Sequence, residues 1–136
     1  MESSKKTTSP VAGQTILLVE DEISVRNVLQ TRLTKEGFTV FPAGNGREGL
    51  ALAEAKKPDL VLLDIVMPEM DGMTMLRQMR QTDWGKNMKV VMLTNLADAD
   101  RAAEAGREGV YDFLIKSNWQ LWQLVALIKK KLQNKA

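Results

Sequence analysis

The sequence predicts an α/β domain built on one open parallel sheet with helices on both faces, and three observations carry that prediction. Five short apolar runs alternate strictly with five stretches of helical periodicity, as repeated strand-helix-strand units do. The runs ILLV (16–19) and LVLL (60–63) are apolar at every position, which fits strands covered on both faces better than half-exposed ones. The length of 136 residues suits one domain with a real core, since a chain of about 150 residues hides roughly two thirds of its unfolded surface. A second folded domain does not fit in that length, so a stand-alone unit is expected.

Residues 1–13, MESSKKTTSPVAG, are small, polar and aperiodic and are read as a flexible arm. Order is expected from Gln14. TILLVE is rich in β-formers and makes the first strand; from Ser24 the apolar residues Val25, Val28, Leu29 and Leu33 recur at helical spacing until Gly37 ends the helix. FTVFPA is the second strand. The helix through REGLALAEAKK stops before Pro58, because the residue preceding a proline disfavours helical torsions. The strand DLVLLD, a turn at Pro68 and Asp71-Gly72, and the helix MTMLRQMRQ form the third pair. After the loop DWGKN come the strand KVVML and a helix through DADRAAEAGRE. The strand VYDFLI follows Gly109, with Tyr111 and Phe113 read as packing, and the last helix spans about residues 118–132, leaving 134–136 as a tail.

Composition removes several classes of chemistry. The chain has no Cys, which excludes disulfides and thiolate metal sites, and no His, which removes the commonest general base. The apolar runs are far too short to cross a bilayer and no signal-type segment opens the chain, so cytoplasmic residence is expected. The net charge of +2 sits at the ends: without the charges of residues 1–13 and 129–136 there remain 13 basic and 16 acidic residues, a net of −3. Neither nucleic acid nor membrane is an expected partner. The lysines at 129–131 close a helix, where cations suit the dipole.

Open parallel sheets bind ligands in the crevice beyond the carboxyl ends of their strands. The first strand ends in Glu20, Asp21 and Glu22, the third in Asp64, the fourth in Thr94 and the fifth in Lys116. Unit charges about 5 Å apart at an effective dielectric near 20 repel by roughly 3 kcal/mol per pair, so such an acid group needs a cation. With no His or Cys the ligands are oxygens, which suits a hard ion such as Mg²⁺, or Mn²⁺ in its place. A metal-held carboxylate beside an ammonium and a hydroxyl is equipped for phosphoryl transfer, with Asp64 the nucleophile and Glu20-Asp21 a metal clamp. Glu22 is read as favouring a helix N-terminus rather than binding metal.

LLVEDE, LLDIVMPEMDG, VVMLT and GVYDFLIK, in that order at those strand ends, resemble the receiver domains of two-component response regulators over residues 14–133. The resemblance implies a flavodoxin-like doubly wound sheet of strand order 2-1-3-4-5 with five helices. It also implies that Asp21 binds Mg²⁺ directly and Glu20 mainly through water, and that the backbone carbonyl of Val66 completes the protein's share of the shell. Asp64 both ligates the metal and accepts a phosphoryl group from a phosphohistidine on a sensor kinase or phosphotransfer protein. Thr94 and Phe113 then move inward together as a switch. The resemblance makes the chain a phosphoacceptor that catalyses only its own phosphorylation and dephosphorylation. A downstream protein, or a second copy of the chain, docks on the face of helix four, strand five and helix five. Trp119 and Trp122, at the start of the last helix, are candidates for that face, because Trp is enriched at binding hot spots.

Two positions depart from the family's habit. Ser117 stands where a Pro, commonly cis, usually follows the Lys; a non-Pro cis bond costs about 3–4 kcal/mol, so a trans bond and a rearranged loop are expected. Asn95 stands where a small residue usually follows the Thr. Both keep alive an alternative, a degenerate receiver acting as a phosphorylation-independent interaction module. A phosphatase with an aspartyl nucleophile wants a second Asp at position 66, where Val66 stands. In a flavin carrier of similar topology, Glu20-Asp21-Glu22 would repel the cofactor phosphate.

Overall fold

The computed structural model describes residues 14–94, 101–116 and 120–133. The arm, Asn95, Ser117, Trp119 and the tail therefore lie outside the described residues. Five strands, β1 (Thr15–Val19), β2 (Thr39–Ala43), β3 (Leu60–Asp64), β4 (Val90–Thr94) and β5 (Phe113–Ile115), form one sheet in the order β2-β1-β3-β4-β5. Every neighbouring pair is parallel, and the register Val19↔Leu63, Leu63↔Met92, Met92↔Phe113 aligns the strands' carboxyl ends along one rim. The flavodoxin-like order implied above is the observed one. Because the chain runs from β1 outward to β2 and then returns to β3 on the other side, the winding reverses between β1 and β3, and a crevice opens there.

The helices are α1 (Ile23–Lys35), α2 (Gly46–Lys56), α3 (Gly72–Arg80), α4 (Ala102–Gly106) and α5 (Leu121–Gln133). Alternate strand residues feed two cores. Leu17, Val19, Val61, Leu63 and Met92 pack under α2, α3 and α4, while Ile16, Leu18, Leu60, Leu62, Val91 and Leu93 pack under α1 and α5. This explains the unbroken apolar runs, since both faces of each central strand are covered.

Local chemistry sets the helix limits. Gly37 takes φ 101°, and the amides of Gly37 and Phe38 bond the carbonyls of Thr34 and Leu33, closing α1 in a Schellman motif. At the start of α2, Asn45 accepts from the Glu48 amide at 2.8 Å while the Glu48 carboxylate accepts from the Gly44 amide at 2.7 Å, a reciprocal cap. Asp71 caps α3 by accepting from the Thr74 amide at 2.9 Å.

Three expectations change. The described part of α4 covers 102–106 and ends two residues short of the expected run 98–108, whose first three residues lie outside the described residues. β5 begins at Phe113, so Tyr111 precedes the strand; it is 75% exposed, with its ring beside Gly106, rather than packed. The described part of the last helix begins at Leu121.

Candidate functional site

β1 delivers Glu20 and Asp21 to the crevice and β3, its neighbour, delivers Asp64; the amide of Glu20 bonds the Ala43 carbonyl and that of Ile65 the Leu93 carbonyl, so both acids leave the sheet on fixed backbone. After Asp64 the turn returns the chain so tightly that the Gly72 amide bonds the Ile65 carbonyl at 2.7 Å. A Cβ at Gly72 would fall 2.1 Å from the Asp64 carbonyl oxygen, so only glycine permits that return.

Glu20 is fully buried, and Asp64 and Thr94 nearly so. From the sheet's edge the Lys116 ammonium reaches 3.0 Å from Glu20 Oε1, 3.1 Å from Asp64 Oδ2 and 3.4 Å from Glu22 Oε1. Its approach to Glu20 Oε1 lies off the directions of a hydrogen bond, and that buried oxygen has no donor. The other Glu20 oxygen accepts from the Glu22 amide at 3.0 Å, and the Arg26 guanidinium donates to the Glu20 carbonyl at 2.8 Å. The backbone of Lys116 is tied to β4, its amide donating to the Thr94 carbonyl at 2.7 Å.

Burial, helped by the neighbouring Glu20 charge, pushes the Asp64 carboxyl from 3.8 up to about 7, against the pull of Lys116. Burial alone would lower the Lys116 ammonium, but its contacts with Glu20 and Asp64 outweigh it and the net change is upward. One ammonium thus compensates two buried acids and leaves a surplus of negative charge.

The donor set fits a hard divalent cation. Glu20, Asp21 and Asp64 each offer a carboxylate oxygen, all within 4.8 Å of one another, and the donor-less Glu20 Oε1 is the kind of buried atom that a cation or its water satisfies. Val66 lies in the turn after Asp64 with its side chain exposed.

The structure thus brings Glu20, Asp21, Asp64 and Lys116 together, with Thr94 at the adjoining strand end. It does not bring Phe113 and Trp122 together. Phe113 is half-buried on the side of the sheet that carries Met92 and Ala105. Trp122, 62% exposed, lies one heptad before Lys129 on α5; Lys129 pairs with Glu36 at the end of α1 at 3.0 Å, so Trp122 occupies the α1 flank of that helix. Two contacts were not foreseen. Glu22 sits at the N-cap of α1 without capping it and reaches Lys116 instead. Arg101, before α4, binds the α3 cap Asp71 at 3.2 Å and lies 3.6 Å from Glu104, which also pairs with Arg77. No sequence spacing marks the Glu22–Lys116 or the Arg101–Asp71 contact.

A five-stranded doubly wound sheet with an acidic pocket and a lysine at its switch point defines a class of phosphoacceptor switch. The comparisons narrow it: the family model described as "Response regulator receiver domain" matches residues 16–129, and the chain belongs to that family. It is 40% identical to the regulatory protein AtoC of Escherichia coli over 118 residues, covering 87% of this chain and 25% of that protein. It is also 40% identical to the probable transcriptional regulator ycf27 of Cyanophora paradoxa over 103 residues, covering 74% of this chain and 41% of the relative. The chain therefore spans only a quarter to two fifths of the curated relatives it matches. Among solved structures, a putative response regulator from Chloroflexus aurantiacus superposes with a TM-score of 0.82 at 29% identity, covering 90% of this chain and 99% of that one. The chemotaxis protein CheY4 of Vibrio cholerae gives 0.80 at 28% identity, covering 88% and 98%. Among the described residues no helix is long and apolar enough to cross a membrane.

Proposed function

We propose that Asp64 accepts a phosphoryl group from a phosphohistidine on a sensor kinase or phosphotransfer protein, and that the resulting aspartyl phosphate switches the domain's surface for a protein partner. The observation that carries this reading is the convergence on Asp64 of two further carboxylates and the Lys116 ammonium, at the ends of strands far apart in sequence. In the transfer an Asp64 carboxylate oxygen attacks phosphorus, the P–N bond breaks, and its electron pair returns to the imidazole nitrogen. Hydrolysis reverses the state: water attacks phosphorus, the acyl P–O bond breaks, and inorganic phosphate leaves with the carboxylate regenerated.

Asp21 and Asp64 would hold Mg²⁺ directly, with Glu20 acting through water and the Val66 carbonyl as a further ligand. When bound, the ion neutralises charge on the phosphoryl oxygens and favours the ionised, nucleophilic form of Asp64. Lys116 turns from Asp64 to a phosphoryl oxygen, and the Thr94 hydroxyl donates to another. Phe113 follows Thr94 inward, which alters the surface of α4, β5 and α5 where a partner docks.

Incubation with phosphoramidate, with and without Mg²⁺, tests the reading by intact mass. One added phosphoryl group is expected, only with Mg²⁺ and not in Asp64→Asn. Equal labelling of both proteins would move the acceptor elsewhere; no uptake by the native chain would leave an interaction module.

A further inference from the structure

We propose that Glu22 is a positioning residue that holds the Lys116 ammonium back from the phosphoryl group and so slows its uptake by Asp64. The inference rests on the phosphoacceptor reading above and adds to it a brake that lies outside the metal-binding set.

Glu22 stands at the N-cap of α1 with an extended backbone (φ −77°, ψ 114°), yet its side chain bonds no amide of the first turn. It instead spans 94 residues of sequence to Lys116, 3.4 Å away. Three carboxylates then share one ammonium, and they are not equivalent. The Glu20 and Asp64 side chains are buried, so an ammonium leaving either one strands a charge in low dielectric. The Glu22 side chain is 60% exposed and can exchange Lys116 for water.

When an Asp64 oxygen attacks phosphoramidate protonated on its nitrogen, the P–N bond breaks and ammonia departs with the electron pair. The arriving phosphoryl oxygens need a donor, and a Lys116 N–H directed at Glu22 is the one released at least cost. The Glu22 charge opposes that release. Because the pair is exposed and screened, its worth is modest, about two- to fivefold in rate.

The test compares initial rates of phosphate uptake from phosphoramidate at saturating Mg²⁺ in the native chain, Glu22→Gln and Glu69→Gln. Glu69 is an exposed acid on the turn after Asp64 and controls for the general negative field. Glu22→Gln is expected to be about two- to fivefold faster than the native chain, with Glu69→Gln unchanged. An unchanged or slower Glu22→Gln, or an equal gain in Glu69→Gln, would overturn the proposal. Should the native chain take up no phosphate, the phosphoacceptor reading fails by itself, and nitrogen-15 relaxation of the Lys116 ammonium decides the restraint separately. A more mobile ammonium in Glu22→Gln supports it and an equally ordered one rejects it.

Discussion

Beneath α2, α3 and α4 the core holds Met67, Met73, Met75, Met79 and Met92, with Met70 and Met88 at its margin; beneath α1 and α5 the described core is Leu, Ile, Val and Phe38, with no methionine. Branched side chains have few rotamers and fix one packing, whereas an unbranched thioether fills irregular space and repacks at low cost. Phe113, the aromatic expected to turn inward, lies against the methionine side. The two faces therefore differ in how firmly their side chains fix one packing: the branched face is held tightly, and the methionine face has more room to repack.

Core truncation is expected to separate the two faces most. Leu62→Ala, on the branched side, is expected to lower unfolding free energy by about 4 kcal/mol in urea titration, and Met92→Ala, on the other side, by about 2–3 kcal/mol, because neighbouring methionines relax into the space. Equal losses would make the two cores mechanically alike.

The next effect belongs to the rim that both faces share. Asp64 titrates near 7 when folded against 3.8 as an ordinary carboxyl. Across that window the folded protein keeps a proton the unfolded chain has shed, so stability falls as pH rises. Without divalent metal, the loss between pH 4 and pH 7 is expected to be on the order of 3 kcal/mol relative to Asp64→Asn. Added Mg²⁺ should reduce it, and a native curve parallel to that of Asp64→Asn would locate the strain in the cores instead.

A smaller effect is expected at an ion pair on the methionine side. The Arg101–Asp71 pair ties the start of α4 to the cap of α3. Burial would raise the Asp71 carboxyl, but the Thr74 amide and Arg101 together bring it below its usual value. Its contribution is thus present above the ordinary carboxylate range and lost as pH falls through the folded value. Arg101→Ala is expected to cost about 0.5–1 kcal/mol at pH 7 and less at pH 2, read by thermal melting. The same cost at both pH values would deny the ion pair.

Much of this architecture was legible in the sequence. ILLV and LVLL announced two-sided burial, Gly37 and Pro58 marked helix limits that the structure reproduces, and the acids after the first and third strands pointed to the crevice. The division of the methionines was not legible, because where every strand residue is apolar the alternation carries no contrast. Nor was the reach of Glu22: a contact across 94 residues depends on tertiary placement, and the run Glu20-Asp21-Glu22 does not say which acid turns away. Tyr111 was misjudged because the edge strand starts three residues later than its β-formers suggest.

The bond between the Lys116 amide and the Thr94 carbonyl has a mechanical corollary. With its amide fastened to the Thr94 carbonyl, Lys116 is a lever whose fulcrum rides on the neighbouring strand while its charged tip lies among the Glu20, Glu22 and Asp64 carboxylates. Any displacement at the end of β4 drags that fulcrum along, so threonine and lysine cannot respond to an incoming anion as independent parts.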